Sequence, residues 1–471
     1  MLQKIRYILL LLICLPVLIQ AQNDTIKSDV GFMGVASTGN APFWLQSNRY
    51  GLIPASPASA GMMAGINKEF GTKERLFDYG FKANLLVQAY GNKTAVRLHE
   101  FYAKARFSVF DLIIGAREEQ LGNQDSTLSC GGFLFSKNAR PMPKITLGIE
   151  HFTPVPFTFG FLEVKGAITH GWFNNTVYAK NVFLHHKYVY AKVGGKLPVH
   201  LQYGMDHVAQ WGGNILGYGQ QPAGFSDFVD IFLGRSGGTN AFTGEQINAL
   251  GNHIISQSTR LDVELSGFTI SGYWQKISED GPIKNFWNAP NKADGLWGVS
   301  IRNTQFTYIK GILYEYLNTT DQSGPYHDKD GIIYGGSDSY FGNYIYSFGW
   351  SFYGRTIGIP FILPPTINAT NGSLASINNR VQVRHFGIEG DITGYNYKFL
   401  SSFSKNYGTY YVPLVPYGLK NTSLLLEINK QFPMLSNIEI GCSVGVDFGK
   451  LYGNSVGCLF SIRKRGNLFH Y

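Results

Sequence analysis

The residues in this chain whose types and spacing could do chemistry fall into a few small groups. Residues 234–238, "GRSGG", match the G-x-S-x-G pattern of a nucleophile elbow, which requires a strand before the serine and a helix after it. Here "TNAFTGEQ" follows within a glycine-rich stretch, so Ser236 reads as a loop serine in a chain with 56 glycines. His185 and His186 are adjacent and lack the i, i+4 spacing of a helical zinc pair. "DKDG" (328–331) falls short of a calcium loop, because only two alternate positions before the glycine are carboxylates. Glu118 and Glu119, like Glu279 and Asp280, are neighbours that would point to opposite faces of a strand, so neither pair forms an acid/base couple. These patterns argue against an enzyme and predict no metal and no cofactor. Carbohydrate binding has better material, since apolar sugar faces stack on aromatic rings while amides, guanidiniums and imidazoles bond the hydroxyls. Trp44 with Asn48 and Arg49, Trp172, and Trp211 with His207 and Gln210 supply such combinations in "APFWLQSNR", "THGWFNN" and "DHVAQWGG". Membrane barrels also place aromatics in interfacial girdles whatever they bind, which gives each tryptophan an alternative role.

The elements that must position these groups are strands. In "NIEIGCSVGVDFG" (437–449), Ile438, Ile440, Cys442, Val444, Val446 and Phe448 alternate with Asn437, Glu439, Gly441, Ser443, Gly445 and Asp447. Successive strand side chains point to opposite faces. At roughly 3.3 Å per residue, this stretch extends about 40 Å, far beyond an ordinary globular strand. A strand tilted through a bilayer needs that length, because its apolar band covers roughly 25 Å and its ends continue into loops. The row beginning at Ile438 is expected to face lipid and the row beginning at Asn437 to face the lumen. Glu439 and Asp447 in lipid would cost up to a few kcal/mol each near the midplane. The same alternation occurs in "LFDYGFKANLLVQA" (76–89) and "SVGCLFSIR" (455–463).

"TRLDVEL" and "FTISGYWQK" join across Ser266-Gly267, and "GLWGVSIR" is expected to meet "QFTYIKGILYEY" across Asn303-Thr304. Longer polar stretches at 212–251, 318–343 and 364–380 separate the hairpins. Short turns on one side and long loops on the other describe an outer-membrane barrel. The predicted fold is all-β, a transmembrane antiparallel barrel of about 18 strands, with turns toward the periplasm and loops outside.

At the amino terminus, Lys4 and Arg6 precede an apolar run over 7–19, which reads as a secretory signal cleaved after about Ala21. No later run is long enough for a transmembrane helix. The domain plan is a signal peptide over 1–21, a segment over 22–54 serving as lumen plug or periplasmic extension, and the barrel over 55–471. Composition agrees with a membrane barrel: aromatics and charged residues are each 15% of the 471 residues, the latter well below the usual quarter of a soluble domain. The formal charge of +9 favours anionic partners over nothing more specific, and no nucleic-acid motif is present. Cys130, Cys442 and Cys458 are an odd set without metal-site spacing, and the last two fall on apolar rows. A terminal aromatic, Tyr471, resembles the signal read by the barrel assembly machinery.

Six segments, "NAPFWLQSNRYGLIP" (40–54), "SKNARPMPKITLGI" (136–149), "PVPFTFGFLEVKGAITHGWF" (154–173), "HHKYVYAKVGGKLPVHLQYGMDHVAQWGG" (185–213), "NAPNKADGLWGV" (288–299) and "EYLNTTDQSGPYHD" (315–328), resemble the Wzi-type capsule assembly family in the form common among Bacteroidetes-like bacteria. The resemblance extends over nearly the whole chain after the signal. It implies an 18-stranded outer-membrane barrel, monomeric among lipid and lipopolysaccharide, that binds capsular polysaccharide as a lectin and helps attach it at the cell surface. The matched segments add Asn138 and Arg140 to the glycan-binding candidates. Family members that anchor capsule carry a helical bundle before the barrel, which residues 23–38 are too short to form. The alternative is a diffusion channel, for which Arg302, Lys310, Glu315 and Arg384 are candidate lining charges.

Overall fold

The computed structural model describes residues 25–71, 75–247, 249–279, 293–324, 338–368, 372–435 and 437–470. The signal peptide, the "DKDG" loop and Asp280 therefore lie outside the described residues. Eighteen strands form one closed antiparallel sheet. They are β1 (Thr25–Ser37), β2 (Ala58–Lys68), β3 (Phe77–Tyr90), β4 (Lys93–Phe107), β5 (Phe110–Ala116), β6 (Pro143–Pro154), β7 (Leu162–Trp172), β8 (Phe183–Val193) and β9 (Val199–Trp211). The circuit continues through β10 (Asn252–Leu265), β11 (Phe268–Ser278), β12 (Gly295–Asn303), β13 (Gly311–Asn318), β14 (Arg380–Ile392), β15 (Tyr395–Gly408), β16 (Leu419–Phe432), β17 (Ile438–Gly449) and β18 (Ser455–His470). Each strand pairs with its sequence neighbours. The ring closes where β1 pairs with β18, with Thr25 opposite His470 and Gly31 opposite Arg463.

Both ends of the described chain lie at one rim, together with the short turns 108–109, 266–267 and 393–394. The opposite rim carries the long connections 38–57, 117–142, 212–251 and 319–379. This placement revises two expectations. The barrel begins at β1, not at residue 55, so residues 25–37 of the expected N-terminal segment are wall and residues 38–57 remain to enter the lumen. The turn after β12 is also longer than the expected Asn303-Thr304. The Asn303 side-chain amide donates to the carbonyls of Phe306 (2.8 Å) and Ile309 (2.7 Å), which holds 304–310 out of the ladder and delays β13 to Gly311.

Burial follows the two rows. Along β17, Cys442, Val444 and Phe448 are exposed, whereas Gly441, Ser443, Gly445 and Asp447 are buried. The outer surface collects Leu85, Val87, Val96, Leu98, Val299, Ile301 and Leu426. Cys442 and Cys458 share that face as free thiols with their sulfurs 3.7 Å apart. Placing a charge there by Val444→Lys is expected to destabilise the barrel by about 2–4 kcal/mol if the site lies near the midplane. Denaturant titration of the barrel refolded into vesicles measures this, and an unchanged midpoint would contradict the assignment of faces. Of the candidate channel charges, Arg302 and Glu315 point inward, Lys310 lies in a short turn, and Arg384 is exposed on the outward row of β14 between the inward Val383 and His385.

The hydrophobic core is inside the barrel. Its largest members come from the long connections: Trp44 and Leu45, then Leu128, Phe133 and Leu134, then Tyr340, Phe341, Trp350, Ile359 and Phe361. These side chains occupy the half of the lumen below the long-loop rim. The short-turn half is crossed by ion pairs instead, among them Arg106–Asp111 (2.8 Å), Arg117–Glu150 (2.7 Å) and Lys68–Asp78 (3.7 Å).

Candidate functional site

Three inward-folded connections build the site, each fastened by polar groups of the wall. Residues 38–57 descend from β1 and form one helical turn, α1 (Phe43–Gln46). The Phe43 N–H donates to Asp447 Oδ2 (2.7 Å), Trp44 Nε1 donates to Ser402 Oγ (3.2 Å), and Arg49 pairs with Glu427 (2.7 Å). The wall accommodates this turn through small residues: a Cβ on Gly445 would stand 2.7 Å from Leu45 Cγ, and one on Gly457 would stand 2.8 Å from Pro42 Cδ.

Residues 117–142 descend from β5. Glu315 Oε2 accepts the Cys130 N–H and Oε1 the Ser129 hydroxyl, both at 2.7 Å, while Gln275 Oε1 accepts the Phe133 N–H (2.7 Å). Arg302 bridges Asp125 (Nε to Oδ2, 2.9 Å) and Glu389. The 319–379 connection packs on top. Trp350 Nε1 donates to the Leu134 carbonyl (2.8 Å), and backbone bonds link Ser136 to Ile357 and Ile359 to Phe133.

Asp294, just before β12, holds the root of that connection. Its carboxylate accepts the N–H groups of Asp321 (3.0 Å) and Gln322 (2.8 Å) and the Asn318 amide (3.0 Å). Burial outweighs these bonds and pushes the carboxyl up to about 6. A folded value raised above the unfolded one gives stabilisation that is complete below the ordinary value of 3.8 and is lost as pH rises through about 6. The Asp321 and Gln322 amides are therefore expected to be better protected from hydrogen exchange at about pH 5 than at about pH 7.5, after correction for intrinsic rates. Asp294→Asn should abolish that difference, and its persistence would contradict the attribution.

Between these connections and the rim is a cavity of about 490 Å³. Tyr90, Tyr353 and Tyr452 supply its aromatic surface, Arg97 and Arg355 its charge, and Asn40, Gln46, Gln88 and Asn138 its amides. Tyr353 is 56% exposed at the tip of the turn between residues 352 and 355. Arg97 Nε, Tyr452 Oη and Asp447 Oδ1, on residues that line the cavity, are buried without a hydrogen-bond partner among the described residues. Among the described residues, Asp447 is the single carboxylate in the lining. A smaller cavity of about 200 Å³ lies deeper, against Asn48, Arg49, Asp125, Lys137 and Lys398.

The residues expected to bind glycan are divided among three places. Asn138 lines the large cavity and donates to the Thr356 carbonyl (3.0 Å), and Arg140 lies over the Tyr353 ring. Asn48 and Arg49 border the deeper cavity with Trp44, whose ring is 2% exposed and covered by Phe43, Phe361 and His385. The third place is the wall beneath the 212–251 connection. There Trp211 packs on Phe183 and Phe228, Trp172 meets His170, His207 bonds His253 (2.7 Å), and buried Gln210 donates to the Gly349 carbonyl (3.0 Å). Ser236 follows the helix α2 (Phe225–Leu233), with Gly234 as its left-handed cap, which is the reverse of a strand-to-helix elbow. Sequence reasoning missed Tyr90, Arg97, Tyr353 and Arg355. Tyr353-Gly354-Arg355 carried a turn signal that, with hindsight, marks an exposed tip.

A closed 18-stranded antiparallel sheet with an apolar outer face and inward-folded loops defines an outer-membrane β-barrel. The chain belongs to the family of the capsule assembly protein Wzi, whose model matches residues 58–361. Among solved structures it is similar to Wzi, an outer membrane protein involved in group 1 capsule assembly in Escherichia coli and described there as a carbohydrate-binding β-barrel. The identity is 13% and the TM-score 0.58, covering 93% of this chain and 84% of that one. It is also similar to Pseudomonas aeruginosa OccK5 (OpdH), at 9% identity and TM-score 0.50 over 95% of this chain and 99% of that one. OccD3 (OpdP) of the same organism gives 9% and 0.50 over 95% and 92%. At these identities the structures show a shared barrel fold. No curated protein sequence matches the chain.

Proposed function

We propose that this protein is a non-enzymatic, lectin-like barrel of the outer membrane that binds capsular polysaccharide at its long-loop face and helps assemble or attach the capsule. The observation that carries this reading is the cavity of about 490 Å³, where tyrosine rings, arginines and amides converge at the rim carrying the long connections. Aromatic faces with hydrogen-bonding groups around them suit a sugar chain, and the lone carboxylate Asp447 already accepts the Phe43 N–H and has no partner for acid/base work. Asn138 remains a contact candidate here, with Tyr90, Arg97, Tyr353 and Arg355 added, and Arg140 supports the Tyr353 ring. Trp44, Asn48 and Arg49 shape the floor from beneath, and Trp172, His207, Gln210 and Trp211 brace the neighbouring wall. The protein works as a monomer among outer-membrane lipid and lipopolysaccharide, inserted by the barrel assembly machinery. Deleting the gene is expected to reduce cell-bound polysaccharide and raise the amount shed into medium. Unchanged retention would favour a diffusion channel instead.

A further inference from the structure

Two guanidiniums, Arg97 and Arg355, line the large cavity, and a third, Arg140, packs against the ring of the lining residue Tyr353. Arg97 Nη2 donates to the Gly51 carbonyl (2.9 Å). Arg355 donates to the Gln46 carbonyl (3.0 Å) and to the Ile53 carbonyl. Arg140 lies over the Tyr353 ring, with its Cβ 3.3 Å from where a Cβ on Gly51 would stand. All three thus close around residues 46–53 and the Tyr353 tip. Elsewhere inside this barrel arginines meet carboxylates: Arg49 with Glu427, Arg106 with Asp111, Arg117 with Glu150, Arg302 with Asp125, Arg463 with Asp29. Among the described residues, Arg97, Arg140 and Arg355 form no ion pair. Their protein partners are neutral carbonyls, an amide and a ring, and the Nε atoms of Arg97 and Arg140 are buried without any acceptor. Asp447, the one carboxylate among the described lining residues, forms no ion pair with them.

Holding three like charges together in a partly desolvated place is unfavourable unless an anion offsets it. Burial draws Arg140 and Arg355 down to about 10, with Arg97 adding repulsion to each, so both stay cationic at neutral pH. A planar guanidinium fork matches a carboxylate in two parallel hydrogen bonds, and Tyr353 offers an exposed ring beside it.

We propose that Arg97 and Arg355, with Arg140 adding positive charge behind the Tyr353 ring, form an anion subsite of the cavity that selects polysaccharides bearing carboxylates, such as uronate residues, over neutral ones. This rests on the polysaccharide-binding reading above and narrows its ligand class.

The test uses the purified full-length barrel in detergent, with two probes: oligogalacturonides and the same oligomers after reduction of their carboxyl groups to galactose. The acidic oligomer is expected to bind about tenfold tighter or more, the scale of one charge-assisted contact. Added salt should weaken its binding and spare the neutral oligomer's. Arg97→Gln, Arg140→Gln and Arg355→Gln, made singly and together, should bring the two affinities toward equality. Lys196→Gln, in the short turn at the far rim, should leave the difference intact and so exclude attraction by overall charge. Heat-dependent gel mobility reports whether each variant is folded. If the triple variant does not fold, Arg97→Gln alone and the charge-keeping Arg97→Lys carry the comparison. Equal affinity of the wild-type barrel for both oligomers would overturn the anion subsite while leaving polysaccharide binding standing. A preference that survives in folded arginine variants would overturn its location. Failure to bind either oligomer or the cell's own capsule would overturn the binding reading, and the subsite with it.

Discussion

Replacing Glu315 by alanine is expected to release the 117–142 segment from the wall, destabilise the barrel and raise its ion conductance. The buried carboxylate of Glu315 accepts the Cys130 N–H, the Ser129 hydroxyl and the Tyr273 hydroxyl. Its removal leaves three donors without an acceptor, at about 1–3 kcal/mol each, so a loss of about 3 kcal/mol or more is expected. That segment contributes Leu128, Phe133 and Leu134 to the apolar side chains filling the upper lumen, and an 18-stranded wall without them encloses space for water. Single-channel recording before and after the substitution gives the readout, with denaturant titration alongside. Glu315→Gln keeps one acceptor and should fall between. Wild-type conductance and stability in the alanine variant would show that the segment is held by its apolar packing alone.

Trp44→Ala should have a comparable effect on stability, with a different effect on binding. The indole is 2% exposed, centred 4.9 Å from Phe43, 5.2 Å from His385 and 5.9 Å from Phe361, and bonded to Ser402. Deleting a buried tryptophan of this kind costs about 3–5 kcal/mol, because the cavity left behind adds to the lost transfer energy. Since the ring faces the core and not the large cavity, glycan affinity per folded molecule should change little. Stability near wild type with loss of glycan binding would return Trp44 to the list of ligand contacts.

These two variants mark the division between what was legible in the sequence and what was not. The wall was legible: Ile438 to Phe448 alternate because one row meets lipid and the other the lumen, and no distant contact is needed to read that period. The turn at Ser266-Gly267 was equally local. The filling of the lumen was not, because Trp44, Phe133, Tyr340 and Trp350 lie in connections with no period, where a buried ring and a solvated one look alike. Residues 23–38 are too short for the helical bundle of capsule-anchoring family members, and 25–37 among them instead close the barrel by pairing with β18. Trp211 and His207 carry sugar-binding chemistry in type, but their partners Phe183, Phe228 and His253 arrive from other strands and a loop helix. Arg97 was hidden for the converse reason. On the inward row of β4 it resembles any lumen-facing charge, and only the approach of Gly51 and Tyr353 places it in the cavity.

The central claim is that the long-loop cavity of this barrel holds capsular polysaccharide. Its most direct test is equilibrium binding of purified capsule fragments, from the strain that carries the gene, to the detergent-solubilised barrel and to its Tyr353→Ala variant. The account predicts saturable binding by the wild type and about tenfold weaker binding by the variant, a difference near 1.4 kcal/mol. No saturable binding by the folded wild type, together with a large open conductance in planar bilayers, would contradict the account and identify the barrel as a channel.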